Sequence, residues 1–382
     1  MSKPNFPKNF YWGAVTSAYQ VEGGIKNNWS SVFDAGRACD HYSRFQEDFG
    51  IAKSLGHNAH RLSIEWARIE TEEGKFNEKE IEHYREVTQA LRERDLEPFV
   101  TLWHWTIPLW LQEKGGLKNK KFSFYFSRFA ERIVKELSRD VLFWITLNEP
   151  LFYATNAYLK GTWPPQKKSI YQYIDILKNL RDAHIQAYQV IKKINSNLQV
   201  GIAKNNIYFE GRGINALLQH AADWWWNFRF LDHIKNHQDF IGLNYYFHSR
   251  IQGLRFNQNE NKVISDVGWE IYPERIYHVL EDLYKYKKPI YIMENGIADA
   301  KDEKRVAFIR DHLRWVRKAI ENGVDVRGYF YWSLLDNFEW DKGFLPRFGL
   351  VEVDYKTMQR KIRPSAYEYK NIAVDNGLDS DI

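Results

Sequence analysis

Eight short apolar runs recur along the chain, and most end in polar or aromatic residues. They are "FYWGAV" (10–15), "HRLSIEW" (60–66), "EPFVTLW" (97–103), "LFWITLNE" (142–149), "QVGIAKN" (199–205), "FIGLNYY" (240–246), "PIYIMENG" (289–296) and "VRGYFYWS" (326–333). Most intervals between them carry a stretch with helical spacing. In 302–323, Val306, Ile309, Leu313, Val316 and Ile320 repeat at the interval of one helix face, and Gly323 supplies a stop. The segment 77–95 reads in the same way. Continuous apolar strands alternating with amphipathic helices predict an α/β protein, with a parallel sheet covered by helices. Eight such units predict a closed (β/α)8 TIM barrel, because eight is the strand count that closes; an open doubly wound sheet is the alternative. No Pro/Gly/Ser tract, low-complexity segment or short-period repeat interrupts the series, so residues 1–382 are expected to form one domain. Its polar end, 372–382, is expected to fray.

Composition narrows the function. The net charge of +5 is spread over 382 residues without a dense Lys/Arg block, which suits a mildly basic surface and not a nucleic-acid site. The single cysteine, Cys39, allows no intrachain disulfide and makes a zinc cluster implausible, so neither a metal nor another cofactor is expected. The opening "MSKPNFPKNF" lacks the apolar core of a signal peptide, and the longest apolar runs are strand-sized. A cytoplasmic protein with no membrane partner is expected; no feature specifies an oligomeric state. Aromatic residues are abundant, with 15 Trp, 23 Tyr and 24 Phe, and several stand beside polar residues at strand ends, as in "TLWHW" and "YFYWSLLDNFEW". Flat apolar rings suit the C–H faces of sugars.

In barrels of this kind the working face lies at the C-terminal ends of the strands. Each run delivers polar groups there: Gln20 and Glu22 after the first, Arg61 and Glu65 from the second, His104 past the third, Asn148 and Glu149 on the fourth. The fifth brings Asn205 and Asn206, the sixth Asn244, Tyr245 and Tyr246, the seventh Glu294, and the eighth Trp332, followed by Asp336, Glu339 and Trp340. Taken singly, each has a structural explanation: an Asn at a strand end forms turns, and a lone His is usually a satisfied buried group. Two carboxylates, Glu149 and Glu294, on strands that face one another across the barrel point to glycosidic-bond chemistry. That chemistry needs one protonated carboxyl to supply the leaving oxygen and one ionised carboxylate to attack or to activate water.

The motifs "NFYWGAVTSAYQVEGG", "HRLSIEWARIE", "FWITLNEP", "FIGLNYY", "YIMENGIAD" and "GYFYWSLLDNFEWDKGFLPRFGL" resemble the signatures of glycoside hydrolase family 1, the retaining β-glucosidase/β-galactosidase family, from about Phe6 to about Tyr367. The resemblance implies a (β/α)8 barrel, Glu149 as acid/base, Glu294 as nucleophile and Asn148 as a ligand of the sugar 2-hydroxyl. Arg61 and a tyrosine of "NYY", preferably Tyr246, would hold Glu294 ionised and aimed. Gln20, His104, Glu339 and Trp340 would line the sugar subsite with Trp332 as its floor, supported by Asn244 and by Asn205 or Asn206. The substrate implied is a β-glycoside or oligosaccharide.

Glu339 stands where phospho-glycosidases of the family carry a phosphate-gripping pattern, so non-phosphorylated sugars are expected. Glu149 stands where plant thioglucosidases carry Gln, so ordinary O-glycosides are expected. The chain also departs from the family. "LDHIKNHQDF" (231–240) replaces a longer insertion, "HWTIP" puts Thr106 in place of an acid, and "DWWW" (223–226) reads as helix packing or as a wall of the shortened region. Shorter loops imply a more open aglycone side. The alternatives are net transglycosylation and a catalytically weak sugar-binding barrel.

Overall fold

The computed structural model describes residues 6–378; residues 1–5, half of the stretch compared above with a signal peptide, and residues 379–382, the last of the tail, lie outside the described residues. Strand one, Tyr11–Val15, pairs in parallel with strand two, Ala59–Ser63, on one side and with strand eight, Val326–Tyr331, on the other. Strands three (Glu97–Trp103), four (Phe143–Asn148), five (Gln199–Asn205), six (Ile241–Asn244) and seven (Ile290–Asn295) complete a closed, all-parallel barrel of eight. The fold read from the strand pattern is therefore the fold observed.

The barrel interior below the working face is filled by rings. Phe99 stacks on Phe143 with centroids 4.1 Å apart and meets Phe330 edge-on at 4.7 Å; Tyr291 closes the layer. Small residues make room for them: a Cβ on Gly13 would lie 2.8 Å from the Phe330 ring. This packed plug keeps solvent out from below and fixes where the strand tips stand.

The helices form because one face of each is apolar. The segment read as 77–95 is the helix Glu78–Arg92, whose N-terminus is capped by the Asn77 side chain accepting from the backbone N–H groups of Lys79 and Glu80. The segment read as 302–323 is the helix Arg305–Glu321; Ile309, Leu313 and Val316 are buried as expected, and Gly323 follows with φ +90°. Val306 and Ile320 are only half-buried, because the buried face turns toward Phe308, His312 and Ala319.

The fraying expected from 372 onward does not hold for residues 372–378. Pro364–Asp375 is helical, and Ile372, Ala373 and Leu378 are buried. Asn376 adopts the left-handed conformation that ends the helix and ties the two chain ends together. Its amide donates to the Phe6 carbonyl (2.9 Å), and its side-chain oxygen accepts from the Trp12 indole (2.9 Å). A polar sequence concealed a cap.

Three of the four register shifts in the barrel, between Ile145 and Asn148, between Leu243 and Asn244 and between Tyr329 and Tyr331, fall toward the C-terminal ends; the fourth, between Val326 and Gly328, is at the start of strand eight. Such irregularities re-aim side chains, and here the first three release the residues that form the site. On the same face, strands five and six continue into a short parallel ribbon, Tyr208–Gly211 with His248–Ile251, and a helical run over 215–234. Among the described residues, no helix is long and apolar enough to cross a membrane, and no group of three or more His, Cys, Asp or Glu could hold a metal ion.

Candidate active site

Glu294 is the penultimate residue of strand seven, and the strand tip around it is fastened from both sides. Asn295 donates to the Tyr245 carbonyl (2.6 Å) and accepts from the Tyr329 hydroxyl (2.7 Å). A Cβ on Gly296 would collide with the Trp332 carbonyl oxygen at 1.9 Å, so only glycine lets the exits of strands seven and eight cross.

Glu149 leaves strand four differently. It sits at φ +44°, in the left-handed region, with its N–H donating to the Ala203 carbonyl of strand five (2.8 Å). Pro150 then begins the short helix Pro150–Ala154. Trp105 and Trp340 also have positive φ (77° and 52°). At these three cavity-lining positions the left-handed backbone serves the aim of the side chain at a cost in local stability.

The two carboxyl groups have unlike surroundings. Arg61 donates to Glu294 Oε1 at 2.6 Å and to Asn148 Oδ1 at 2.7 Å, while Thr101 fixes its Nε at 3.1 Å. The Tyr246 hydroxyl donates to Glu294 Oε2 at 2.7 Å, so both oxygens are held. Tyr245 turns away and donates to the Tyr272 carbonyl (3.2 Å). Glu149 receives a single side-chain donor, the Asn244 amide, at 2.8 Å.

Burial raises both carboxyl groups. For Glu149 the neighbouring charge of Glu294 adds to burial and pushes it to about 8. For Glu294 the Arg61 charge and the Tyr246 hydrogen bond oppose burial. Between two carboxyls in one low-dielectric site, the shared proton therefore resides on Glu149.

Lys204 was not suspected from the sequence. It is buried beside this pair, donates to the Asn205 carbonyl and lies 5.4 Å from the Trp226 ring centroid. Burial lowers its ammonium to about 7, and the charge of Glu149 acts in the opposite direction.

The remaining sequence-predicted residues surround one cavity, which both carboxyl groups line together with Gln20, His104, Asn205, Tyr246, Trp332, Glu339 and Trp340. Asn148 and Asn244 brace it: Asn244 reaches Asn148 at 3.2 Å, and Asn148 meets His104 at 3.1 Å. The Gln20 amide donates to Asn337 (3.0 Å) and the Phe338 carbonyl (2.9 Å), placing it beside Glu339. Glu339 is raised to about 8 by burial and by the nearby Glu294 and Asp341. His104 is nearly parallel to both Trp332 (27°) and Trp340 (16°). Buried Gln20 Oε1, His104 Nδ1, Asn205 Oδ1 and Asn244 Oδ1 have no protein partner. Buried polar atoms are normally satisfied, so this cluster suits a ligand carrying many hydroxyl groups.

Other strand-end residues serve the scaffold. Asp336 is locked by Arg363 (2.9 Å) and Arg347 (3.2 Å), and Glu22 by Arg68 (3.0 Å). Thr106 donates to Glu65 at 2.9 Å, so the threonine of "HWTIP" satisfies a buried carboxyl that an acid there would repel. "DWWW" is divided. Trp225 donates to Tyr173 (3.3 Å), Trp226 donates to the Asn205 carbonyl (3.1 Å), and Trp224 is exposed. Sequence reasoning missed Phe152, Phe247, Trp269 and Phe348 in the cavity wall. Phe247, Trp269 and Phe348 lie in loops and Phe152 on the short helix Pro150–Ala154, where no periodicity marks them.

A model of glycosyl hydrolase family 1 matches residues 2–230 and 227–378. The two stretches meet beside the 231–240 interval that the sequence marks as cut back. The chain is 34% identical to a 1,4-beta-D-glucan glucohydrolase of Thermotoga neapolitana, over 98% of this chain and 99% of that protein. It is 33% identical to beta-glucosidase A of Thermotoga maritima, over 99% and 100%. The first of these alignments spans 447 positions against 382 residues here, so that relative carries segments this chain lacks. Among solved structures, a beta-glycosidase from Pyrococcus horikoshii superposes with a TM-score of 0.93 at 38% identity, covering 99% of this chain and 97% of that one. A beta-glucosidase from Thermotoga maritima in complex with noeuromycin gives 0.93 at 32%, covering 98% and 100%.

Proposed function

This chain belongs to glycosyl hydrolase family 1 and is a glycoside hydrolase of β-glycosidase type, and we propose that it is an exo-acting enzyme that cleaves non-phosphorylated β-O-glycosides with retention. Glu294 attacks the anomeric carbon. Glu149 first protonates the departing oxygen and then, as a carboxylate, takes a proton from the incoming water. The observation that carries this reading is the asymmetry of the pair: both oxygens of Glu294 are held by Arg61 and Tyr246, whereas Glu149 is held by one neutral amide.

The cycle follows from those contacts. Glu294 is ionised and immobilised before substrate arrives, so the attack requires little reorganisation. Forming the glycosyl ester removes the negative charge of Glu294, which had helped raise Glu149. The acid therefore weakens its hold on a proton at the stage when it must act as a base. Asn148, held between Arg61 and His104, would bond the sugar 2-hydroxyl. The proposal takes in glucose, galactose and fucose as the glycone. No Lys or Arg stands among the cavity's lining residues to pair with a 6-phosphate.

The test is the release of nitrophenol from an aryl β-glucoside, with the anomer of the first product followed by NMR. Retention is expected, with β-sugar appearing first. An α-sugar appearing first would refute the double displacement, and no release by folded protein would refute the enzyme.

A further inference from the structure

Lys204 is a buried cation that the catalytic cycle does not use. Side chains alternate along strand five: Ala203 belongs to the ring-filled barrel interior, and Val200 and Ile202 pack in the layer between the barrel and its helices. By that alternation Lys204 points outward, into the apolar layer. It is 1% exposed. Its ammonium donates to the Asn205 carbonyl and stands over the Trp226 ring, whose own N–H bonds the same carbonyl at 3.1 Å. Among the described residues, no Asp or Glu lies within ion-pair distance of it. An apolar side chain would pack in such a layer without the cost of burying an ammonium.

Strand five carries this lysine between the two strands that hold Glu149. On one side Asn148 of strand four lies opposite Ala203, and the Glu149 N–H donates to the Ala203 carbonyl at 2.8 Å. On the other, Lys204 and Asn205 pair with Leu243 and Asn244 of strand six, and the Asn244 amide donates to Glu149 Oε1 at 2.8 Å. Burial brings the Lys204 ammonium down to about 7, and the charge that supports it is that of Glu149.

The other groups facing Glu149 are Glu294, Arg61, Tyr246 and Asn244 on the strands, with Glu339 from the loop after strand eight. Glu294 opposes a second negative charge in the site. Arg61 is bonded to Glu294 and to Asn148. Lys204 is the cation whose charge answers to Glu149 alone. When Glu294 is esterified its opposition ends, while burial still disfavours the Glu149 carboxylate. A neighbouring cation has its clearest use at that stage.

We propose that Lys204 is a positioning residue for Glu149, whose ammonium stabilises the Glu149 carboxylate when that group must take a proton from water. The proposal rests on the acid/base role given to Glu149 above and adds the residue that favours its return to a base.

The test isolates the second half of the cycle. Wild type, Lys204→Met and Lys204→Arg are inactivated with dinitrophenyl 2-deoxy-2-fluoro-β-glucoside and freed of excess reagent, and reactivation is followed as a function of pH. Reactivation needs Glu149 as a carboxylate, so its acidic limb reports that group. In Lys204→Met the limb should move up by about one unit, which slows reactivation about tenfold on the acid side. Inactivation, whose leaving group needs no proton, should slow by a smaller factor. Lys204→Arg keeps a cation and should hold the limb within about 0.3 unit of wild type. Should Lys204→Met lose its fold, Lys204→Gln removes the charge at similar length and gives the same comparison. An unmoved limb in the uncharged variant would overturn the proposal. So would an equal shift in Lys204→Arg, because the effect would then come from packing and not from charge. Failure of wild type to form a fluoroglucosyl ester on Glu294, read by mass spectrometry, would instead be failure of the double-displacement reading.

Discussion

Glu294 and Glu149 are the same residue type, stand at the tips of two strands of one barrel, and share one cavity. Everything else about them differs. Glu294 lies within its strand, one residue before the end, and meets a guanidinium and a phenol; Glu149 sits past its strand on left-handed backbone and meets one amide. The lesson is that chemical role follows the donors around a carboxyl group, and burial alone does not assign it. Burial raises both, and only the unequal donors decide which one keeps the proton.

The largest effect should come from breaking the better-held member. Glu294→Ala removes the proposed attacking group, and turnover of aryl β-glucosides should fall by about 10⁴-fold or more. Glu149→Gln should cost about 10²–10⁴-fold with alkyl glucosides, whose leaving groups need a proton, and far less in the glycosylation step of dinitrophenyl glucosides. Equal losses of that step on both substrates would remove the distinction between the two residues.

Tyr246→Phe sharpens the comparison by weakening only one side. A hydrogen bond to a charged group contributes about 1.5–3 kcal/mol, so kcat/KM should fall about 10- to 100-fold. Losing that donor raises Glu294, so the acidic limb of the pH profile should move up by about one unit or more. The alkaline limb, set by Glu149 near pH 8, should move less.

The smallest effect concerns stability. Glu149 in the folded protein keeps its proton to about 8, well above its unfolded value. Folding is thus favoured by this group below the unfolded pKa, and that contribution fades as pH rises toward 8. Glu149→Gln cannot ionise. Its Tm should match wild type near pH 4 and exceed it by on the order of a few °C at pH 8.

Much of this was legible in the sequence because two periodicities carried it. Strand-length apolar runs gave the barrel, and the polar residues at their ends gave Arg61, Asn148, Glu149, Asn244, Tyr246 and Glu294, which the fold brings together. The cavity wall was less visible. Phe247, Trp269 and Phe348 lie in loops whose course depends on tertiary contacts, so spacing does not announce them. Lys204 was hidden inside an apolar strand pattern, where a single cation looks like an edge residue. The chain end misled for the opposite reason. Its polarity suggested fraying, while Asn376 uses that polarity to bind Phe6 and Trp12. Asp336 and Glu22 stood at strand ends like the site residues, and only their arginine partners show that they hold loops together.

The division of labour between the two carboxyl groups is tested most directly by the stereochemistry of azide rescue. Each alanine variant is supplied with a dinitrophenyl β-glucoside and sodium azide, and the product is identified by NMR. Glu294→Ala should yield the α-glucosyl azide, because azide takes the place of the missing nucleophile. Glu149→Ala should yield the β-glucosyl azide, because azide attacks the ester formed on Glu294. The reverse pairing, or the same anomer from both variants, would contradict the assignment.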